Sequence, residues 1–286
     1  MPVSFEDRVV LACVDGASVS AAVGDYACWI ANTIGAPLRL LHTIEHSADP
    51  AVADLSGAIG LGSREGLLEE LTALEQVRGK LLIEHGKEIL SAARARAVAA
   101  GVADPQTAQR HGGLAEALVE LEDELRVVVL GIRGEAHERE HSGLGAQLET
   151  VVRSLHRPLL VVNTVFTAPR RVMLAYNGSD ASRKALGMVA SSLLFRGVPC
   201  HVVYVGDKRQ ELLDEAAQIL EGAGIEAVTA QLGGRIEDAL SAYQTRHDID
   251  LTLMGAFSHS RIRGFLVGSF TAKMMAKTQR PLLLLR

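Results

Sequence analysis

The chain is written twice. Val10-Leu11-Ala12-Cys13-Val14-Asp15-Gly16 aligns with Val172-Met173-Leu174-Ala175-Tyr176-Asn177-Gly178 at an offset of 162. Val129-Leu130-Gly131 aligns with Leu253-Met254-Gly255 at an offset of 124, and Arg157-Pro158-Leu159-Leu160 with Arg280-Pro281-Leu282-Leu283 at 123. A repeat of that period copies a whole domain, not a short solenoid unit. The drop in offset gives the first copy about 38 additional residues, mainly in the polar stretch from His46 to Glu65 and the long helical segment after it. The seam falls at Thr164 to Pro169, so the expected domains are 1–165 and 166–286.

Within each copy, short apolar runs alternate with segments of helical spacing. In the second copy, runs at Arg171–Tyr176, Cys200–Val205, Ile225–Gln231, Asp250–Met254 and Leu282–Leu285 read as strands. Helices are expected between them at Ala181–Phe195, Glu211–Leu220, Ile236–Tyr243 and Val267–Ala276. The first copy repeats this order, with strands at Val9–Val14, Leu38–Ile44, Val127–Leu130 and Leu159–Val162 and a poorly marked one at Ala103–Gln109. Its long helical stretch, Leu67 to Ala99, is expected to break near Gly79 or Gly86. Continuous rather than alternating apolar strands imply open parallel sheets with helices on both faces, an α/β fold.

Charge and composition exclude several classes of function. The net charge is −5, and aromatic residues make up only 4%. A general nucleic-acid binder would present a basic field, and a single-strand binder an aromatic stacking surface. The three cysteines, Cys13, Cys28 and Cys200, have neither disulfide-framework nor thiolate-zinc spacing and fit a reducing compartment. No run reaches 18 apolar residues and the first residues form no leader, so no membrane association and a cytoplasmic location are expected.

Open parallel sheets bind ligands beyond the carboxyl ends of their strands, where the strand order reverses. In the second copy one such end runs into Asn177-Gly178-Ser179. Another runs into Gly255, followed by Ser258, His259, Arg261, Arg263 and a helix start at Gly268-Ser269. Glycines let backbone approach an anion, and helix-start N–H groups point at it. The pattern reads as a polyphosphate cradle. It is neither G-x-G-x-x-G nor a G-K-[ST] loop. Tight turns and helix packing would also account for Gly255 and Gly268, and N-capping for one of Ser179 and Ser182.

These residues resemble the universal stress protein family in its tandem two-domain form. Asn177-Gly178-Ser179-x2-Ser182 stands where the family has Asp-Gly-Ser-x2-Ser. Gly255-x2-Ser258-x9-Gly268-Ser269 is similar to its Gly-x2-Gly-x9-Gly-Ser/Thr, and Arg280-Pro281 leads into a final Leu-rich strand. The resemblance implies a five-stranded parallel sheet in each half, in order 3-2-1-4-5, and packing of the halves as a pseudo-dimer through their final strands. It also implies a non-catalytic stress-response protein that binds ATP or a related adenine nucleotide, with Mg²⁺, and turns it over slowly at most. The site it implies is Asn177 and Ser179 by the ribose, Val203 and Val205 by the base, and Gly255, Ser258, Gly268 and Ser269 around the phosphates. The first-half counterparts are Asp15, Gly131, Gly134 and Gly145.

That first-half loop departs further from the pattern. Gly145-Ala146 falls one residue late, Ala146 lacks a hydroxyl, and Glu135, Glu138 and Glu140 would repel phosphate. Two other readings stay open: an interaction protein of the same fold that binds no nucleotide, and an ATP-dependent substrate-activating enzyme, of whose pyrophosphate loop Asn177–Ser182 is a faint echo. A homodimer of the full chain is a further expectation. His137-Glu138-Arg139-Glu140-His141 matches the zinc-protease pattern H-E-x-x-H, but it lies between glycines in a strand-to-helix connection and is read as an exposed loop.

Overall fold

The computed structural model describes residues 4, 6–44, 61–132, 146–255 and 269–285; side chains are described from residue 71, 148 and 270 onward in the helices that begin at 61, 146 and 269. The first half runs β1 (Val9–Cys13), α1 (Ser20–Ile34), β2 (Leu38–Ile44), α2 (Leu61–Ala99), β3 (Gln106–His111), α3 (Leu114–Leu121), β4 (Leu125–Gly131), α4 (Ala146–Ser154) and β5 (Leu159–Val162). The second runs β6 (Val172–Ala175), α5 (Asp180–Ser191), β7 (Cys200–Val205), α6 (Gln210–Gly222), β8 (Ala227–Leu232), α7 (Ile236–Arg246), β9 (Leu251–Gly255), α8 (Ser269–Lys277) and β10 (Leu282–Leu285).

The strand order is β3-β2-β1-β4-β5-β10-β9-β6-β7-β8. Each half is therefore the expected 3-2-1-4-5 parallel sheet, and an antiparallel β5–β10 pairing fuses the two into one ten-stranded sheet. All residues of β1, β5 and β10 are buried, which is why their sequences carry no polar alternation. Helices α1, α2, α5 and α6 cover one face over Val10, Leu174 and their neighbours. Helices α3, α4, α7 and α8 cover the other over Leu11, Met173 and theirs. The connection between the halves is pinned at both ends. Phe166 packs edge-on against Tyr26 at 4.8 Å, and the Asp250 carboxylate accepts from the Arg170 and Arg171 backbone N–H groups at 2.9 and 3.2 Å.

Two expectations need correction. Helix α2 is unbroken from 61 to 99. A mid-helix glycine costs about 1 kcal/mol relative to alanine, but at Gly86 a Cβ would come within 2.5 Å of His42 Cδ2 and closer still to the Gln109 amide. Glycine lets the helix lie directly on the ends of β2 and β3. The β3 strand begins at Gln106, after Pro105, and is the half-exposed outer strand, so its sequence carries little apolar signal.

On the far side of β7, His201 is buried at 8% exposure and its Nδ1 lies 2.9 Å from the Tyr243 hydroxyl, with Tyr243 stacked on His247. Burial first, then the nearby His247 and Arg171, hold the His201 pKa below its ordinary value, with Glu226 opposing. A depressed histidine makes the unfolded chain the stronger proton binder. Its contribution to stability is intact above the unfolded pKa of about 6.5 and is lost as pH falls from there toward the folded value. The parent melting temperature is expected to drop more steeply from pH 7.5 to 5.5 than that of His201→Gln, which keeps a partner for the Tyr243 hydroxyl. Parallel slopes in thermal melts would contradict this.

Candidate functional site at the strand ends of the second half

At the carboxyl end of β6 the chain turns sharply. The Tyr176 N–H still donates to the Val203 carbonyl at 2.9 Å, and then the Asn177 Oδ1 accepts from the Ser179 N–H at 3.0 Å. This is an Asx turn, which asparagine forms as well as aspartate. Gly178 sits at φ 74°, and a Cβ there would come within 2.8 Å of Leu212, so both conformation and space require glycine. Ser179 then caps α5, its Oγ accepting from the Ser182 N–H at 3.4 Å, while the buried Ser182 hydroxyl donates back to the Ser179 carbonyl at 2.9 Å. Arg183 ties the turn to the helices, donating to the Gly178 carbonyl at 3.1 Å and pairing with Glu215 at 3.0 Å.

Beside this turn lies a cavity of about 250 Å³. Its floor is the ends of β6, β7 and β9 at Ala175, Val203, Val205 and Gly255. One rim is polar, formed by Asn177, Ser179 and Ser182. The opposite wall is apolar, formed by Ile236 and Leu240 of α7 and Phe270 of α8, with Tyr176 completing the lining. The Tyr176 hydroxyl is buried without a hydrogen-bond partner among the described residues. Ile236 stays 44% exposed at the cavity mouth.

Five of the eight second-half residues expected from sequence thus line one cavity: Asn177, Ser179, Val203, Val205 and Gly255. Ser269 opens α8, and Ser258 and Gly268 lie outside the described residues. The apolar wall was not foreseen. Ile236, Leu240 and Phe270 come from helices that the sequence marks only as amphipathic scaffold, and the one available signal was the i, i+4 spacing of Ile236 and Leu240 at the start of α7.

The first half repeats the turn. Asp15 Oδ1 accepts from the Ala17 N–H at 3.1 Å, with Gly16 at φ 84°. Ala17 stands where Ser179 caps, so α1 begins two residues later than α5, at Ser20, whose hydroxyl accepts from the Asp15 N–H at 3.2 Å. Strand register places Cys13 and Leu41 where the second half has Ala175 and Val203. Both are larger residues than their counterparts. Gly131 ends β4, while Gly134, Gly145 and the His137–His141 segment lie outside the described residues.

No group of three or more His, Cys, Asp or Glu side chains among the described residues could hold a metal ion. His42 is structural, its Nδ1 donating to the Val14 carbonyl at 2.9 Å. The three cysteines are free and buried; burial pushes the Cys28 thiol up to about 11 and the Cys200 thiol up to about 12, and raises Cys13 as well. Thiols held in that state are poor nucleophiles. No helix among the described residues is long and apolar enough to cross a membrane.

Comparison with known proteins agrees with the topology. The universal stress protein family matches residues 8–163 and 206–286. The universal stress protein Slr1230 of Synechocystis sp. is 36% identical over 284 residues, covering 97% of this chain and 99% of its own. Among solved structures, a universal stress protein from Archaeoglobus fulgidus superposes with a TM-score of 0.71 at 17% identity, covering 99% of this chain and 97% of that one. A Pseudomonas aeruginosa protein described as a universal stress protein gives 0.63 at 14%, covering 98% and 94%. The chain therefore belongs to the universal stress protein family and carries two of its domains in tandem.

Proposed function

We propose that the second half binds an adenine nucleotide of the ATP type and that the chain acts as a non-catalytic regulator in a stress response. The observation that carries this reading is the cavity beside the Asn177 turn. Its apolar walls suit a flat base, and its polar rim of Asn177 and Ser179 suits a ribose. Gly255, at the cavity floor, leads directly into the Ser258…Gly268-Ser269 sequence, where backbone N–H groups and the α8 N-terminus would receive phosphates. That sequence has no lysine, its cations are Arg261 and Arg263, and Mg²⁺ would add countercharge between the phosphates.

In the first half, the larger Cys13 and Leu41 stand at the corresponding strand ends, and Glu135, Glu138, Glu140 and Ala146 work against a polyphosphate. Binding there is expected to be weaker and to favour AMP or adenosine over ATP.

Isothermal titration of ligand-free protein with ATP and Mg²⁺ tests the proposal, one tight site per chain being expected. Gly268→Val is expected to weaken ATP at least tenfold, or about 1.4 kcal/mol, and adenosine much less. Ser269→Ala should cost about 0.5–1.5 kcal/mol, the net value of one hydrogen bond. Folded Gly268→Val that binds ATP like the parent would remove the phosphate cradle. A parent that binds nothing at millimolar ATP would leave an interaction protein of the same fold, a reading motivated by Asn177 and Ser258.

A further inference from the structure

The apolar wall of the second-half cavity continues into a cluster of titratable side chains. Side chains alternate along a strand, so His201, Val203 and Val205 share one face of β7. On α7, Ile236, Leu240 and Tyr243, with His247 just past the end, follow at spacings of four, three and four, which gathers them on one stripe. The two rows meet. Val203 and Val205 line the cavity together with Ile236 and Leu240, and one turn further along α7 the Tyr243 hydroxyl lies 2.9 Å from the His201 Nδ1. The His201 and His247 rings are 5.6 Å apart. Helix α7 is a single unbroken rod, about 16 Å long at 1.5 Å per residue, so a shift at its carboxyl end carries Leu240 and Ile236 with it.

We propose that this interface is a proton-operated latch: a proton taken up by His201 loosens α7 from β7 and, with it, the apolar wall of the cavity, so that the second half holds its ligand less tightly. The identity of that ligand rests on the reading of the cavity as a nucleotide site. A protonated imidazole is a donor at both nitrogens, so Nδ1 can no longer accept from the Tyr243 hydroxyl, in a residue only 7% exposed. The charge is also poorly received. Tyr243 and His247 face the ring from α7, Arg171 from the approach to β6 and Glu226 from the approach to β8. Burial, then His247 and Arg171, oppose the charge and hold the pKa below its ordinary value, while Glu226 favours it. Arg171 itself pairs with Asp248 at 3.6 Å. Release of α7 returns the ring toward the ordinary value of about 6.5. A ligand that needs the docked wall therefore binds the neutral ring. Its affinity is full above about pH 6.5 and declines as pH falls from there toward the folded value.

The first half carries a different arrangement at the same place. Strand register puts Arg39 where the second half has His201, since Cys13 pairs with Leu41 as Ala175 does with Val203. Its guanidinium, a group charged at every physiological pH, pairs with Glu124 at 2.7 Å. The group that can lose its charge near neutrality thus stands in the half that carries the cavity.

Hydrogen exchange and titration of the full-length protein test the latch. Between pH 7.5 and 5.5, with exchange corrected for the intrinsic effect of pH, the amides of α7 should lose at least about threefold more protection than those of α3, its first-half counterpart. In His201→Gln, which can still partner the Tyr243 hydroxyl, the two helices should respond alike. With ATP and Mg²⁺ over the same range, the parent should lose at least about threefold more affinity than His201→Gln, a comparison that cancels protonation of the nucleotide itself. Parallel loss of protection in α7 and α3 of the parent, a measurement that needs no variant to fold, would overturn the latch. So would loosening of α7 that persists in His201→Gln, or equal loss of ATP affinity in the two proteins. Loosening of α7 as expected in a protein that binds no ATP at any pH would support the latch and remove the nucleotide reading.

Discussion

Gly255→Val is expected to lower the melting temperature and to weaken nucleotide binding together. A Cβ at this position would lie 2.7 Å from the Ala181 Cβ, 3.0 Å from the Ala181 carbonyl carbon and 3.1 Å from the Ser182 nitrogen. Two of those three atoms are backbone in the first turn of α5, so no side-chain rotation relieves the contact. The helix start must move outward, and with it Ser179, which caps it, and Asn177, which closes the turn before it. Overpacking of this kind costs about 1–3 kcal/mol, and displacement of the polar rim should cost at least tenfold in ATP affinity. Gly187 provides the control. It lies on the same helix, exposed, with nothing within 4 Å of its would-be Cβ. Gly187→Ala should stabilise by about 0.5–1 kcal/mol through helix propensity and leave binding alone. Thermal melting and titration of both variants decide the matter. A Gly255→Val protein with parental stability and affinity would show that α5 yields freely and that the site does not depend on this contact.

Gly255 also illustrates what could be read in advance and why. The sequence marks it as a glycine at a strand end, which suits either phosphate approach or close helix packing. The structure supplies the packing contact with α5, and that contact by itself accounts for glycine. The turn residues were legible because their roles are local: an Asx turn, a positive-φ glycine and an N-cap each lie within a few positions of one another. The order of elements along the chain was legible from the repeat, whereas the order of strands in the sheet followed only from the family resemblance. The apolar wall of the cavity was not legible. Ile236, Leu240 and Phe270 meet Val203 and Val205 only through the relative placement of α7, α8 and the sheet, which no short window of sequence encodes. The larger Cys13 and Leu41 in the first half became informative only once strand register set them against Ala175 and Val203.

The isolated second half, residues 169–286, is expected to form a dimer that reproduces the seam of the full chain. In that seam Leu283 pairs with Leu160, Leu282 with Val161 and Leu284 with Leu159. The internal repeat makes Leu283 the counterpart of Leu160, Leu282 that of Leu159 and Leu284 that of Val161. The pseudo-two-fold axis thus passes through the Leu160–Leu283 pair, and a second β10 can replace β5 in the same antiparallel register, Leu283 against Leu283. Without the first half, β10 would present an unpaired backbone edge flanked by side chains that are at most 5% exposed in the full chain. A bare apolar edge of that kind pairs with whatever complementary strand is present, and an identical strand is complementary here. Sizing with light scattering should therefore give twice the fragment mass at micromolar concentration. Leu283→Asp places a charge on the axis opposite its own copy and should drive the fragment to a monomer or unfold it. In the full chain the same substitution buries a single uncompensated carboxylate against Leu160, a change that typically costs more than about 3 kcal/mol. A fragment that is stable and cleanly monomeric would mean that the edge is tolerated in solution. The first half would then be held to the second chiefly by the pinned connection at Phe166, Arg170 and Arg171 rather than by the strand pairing.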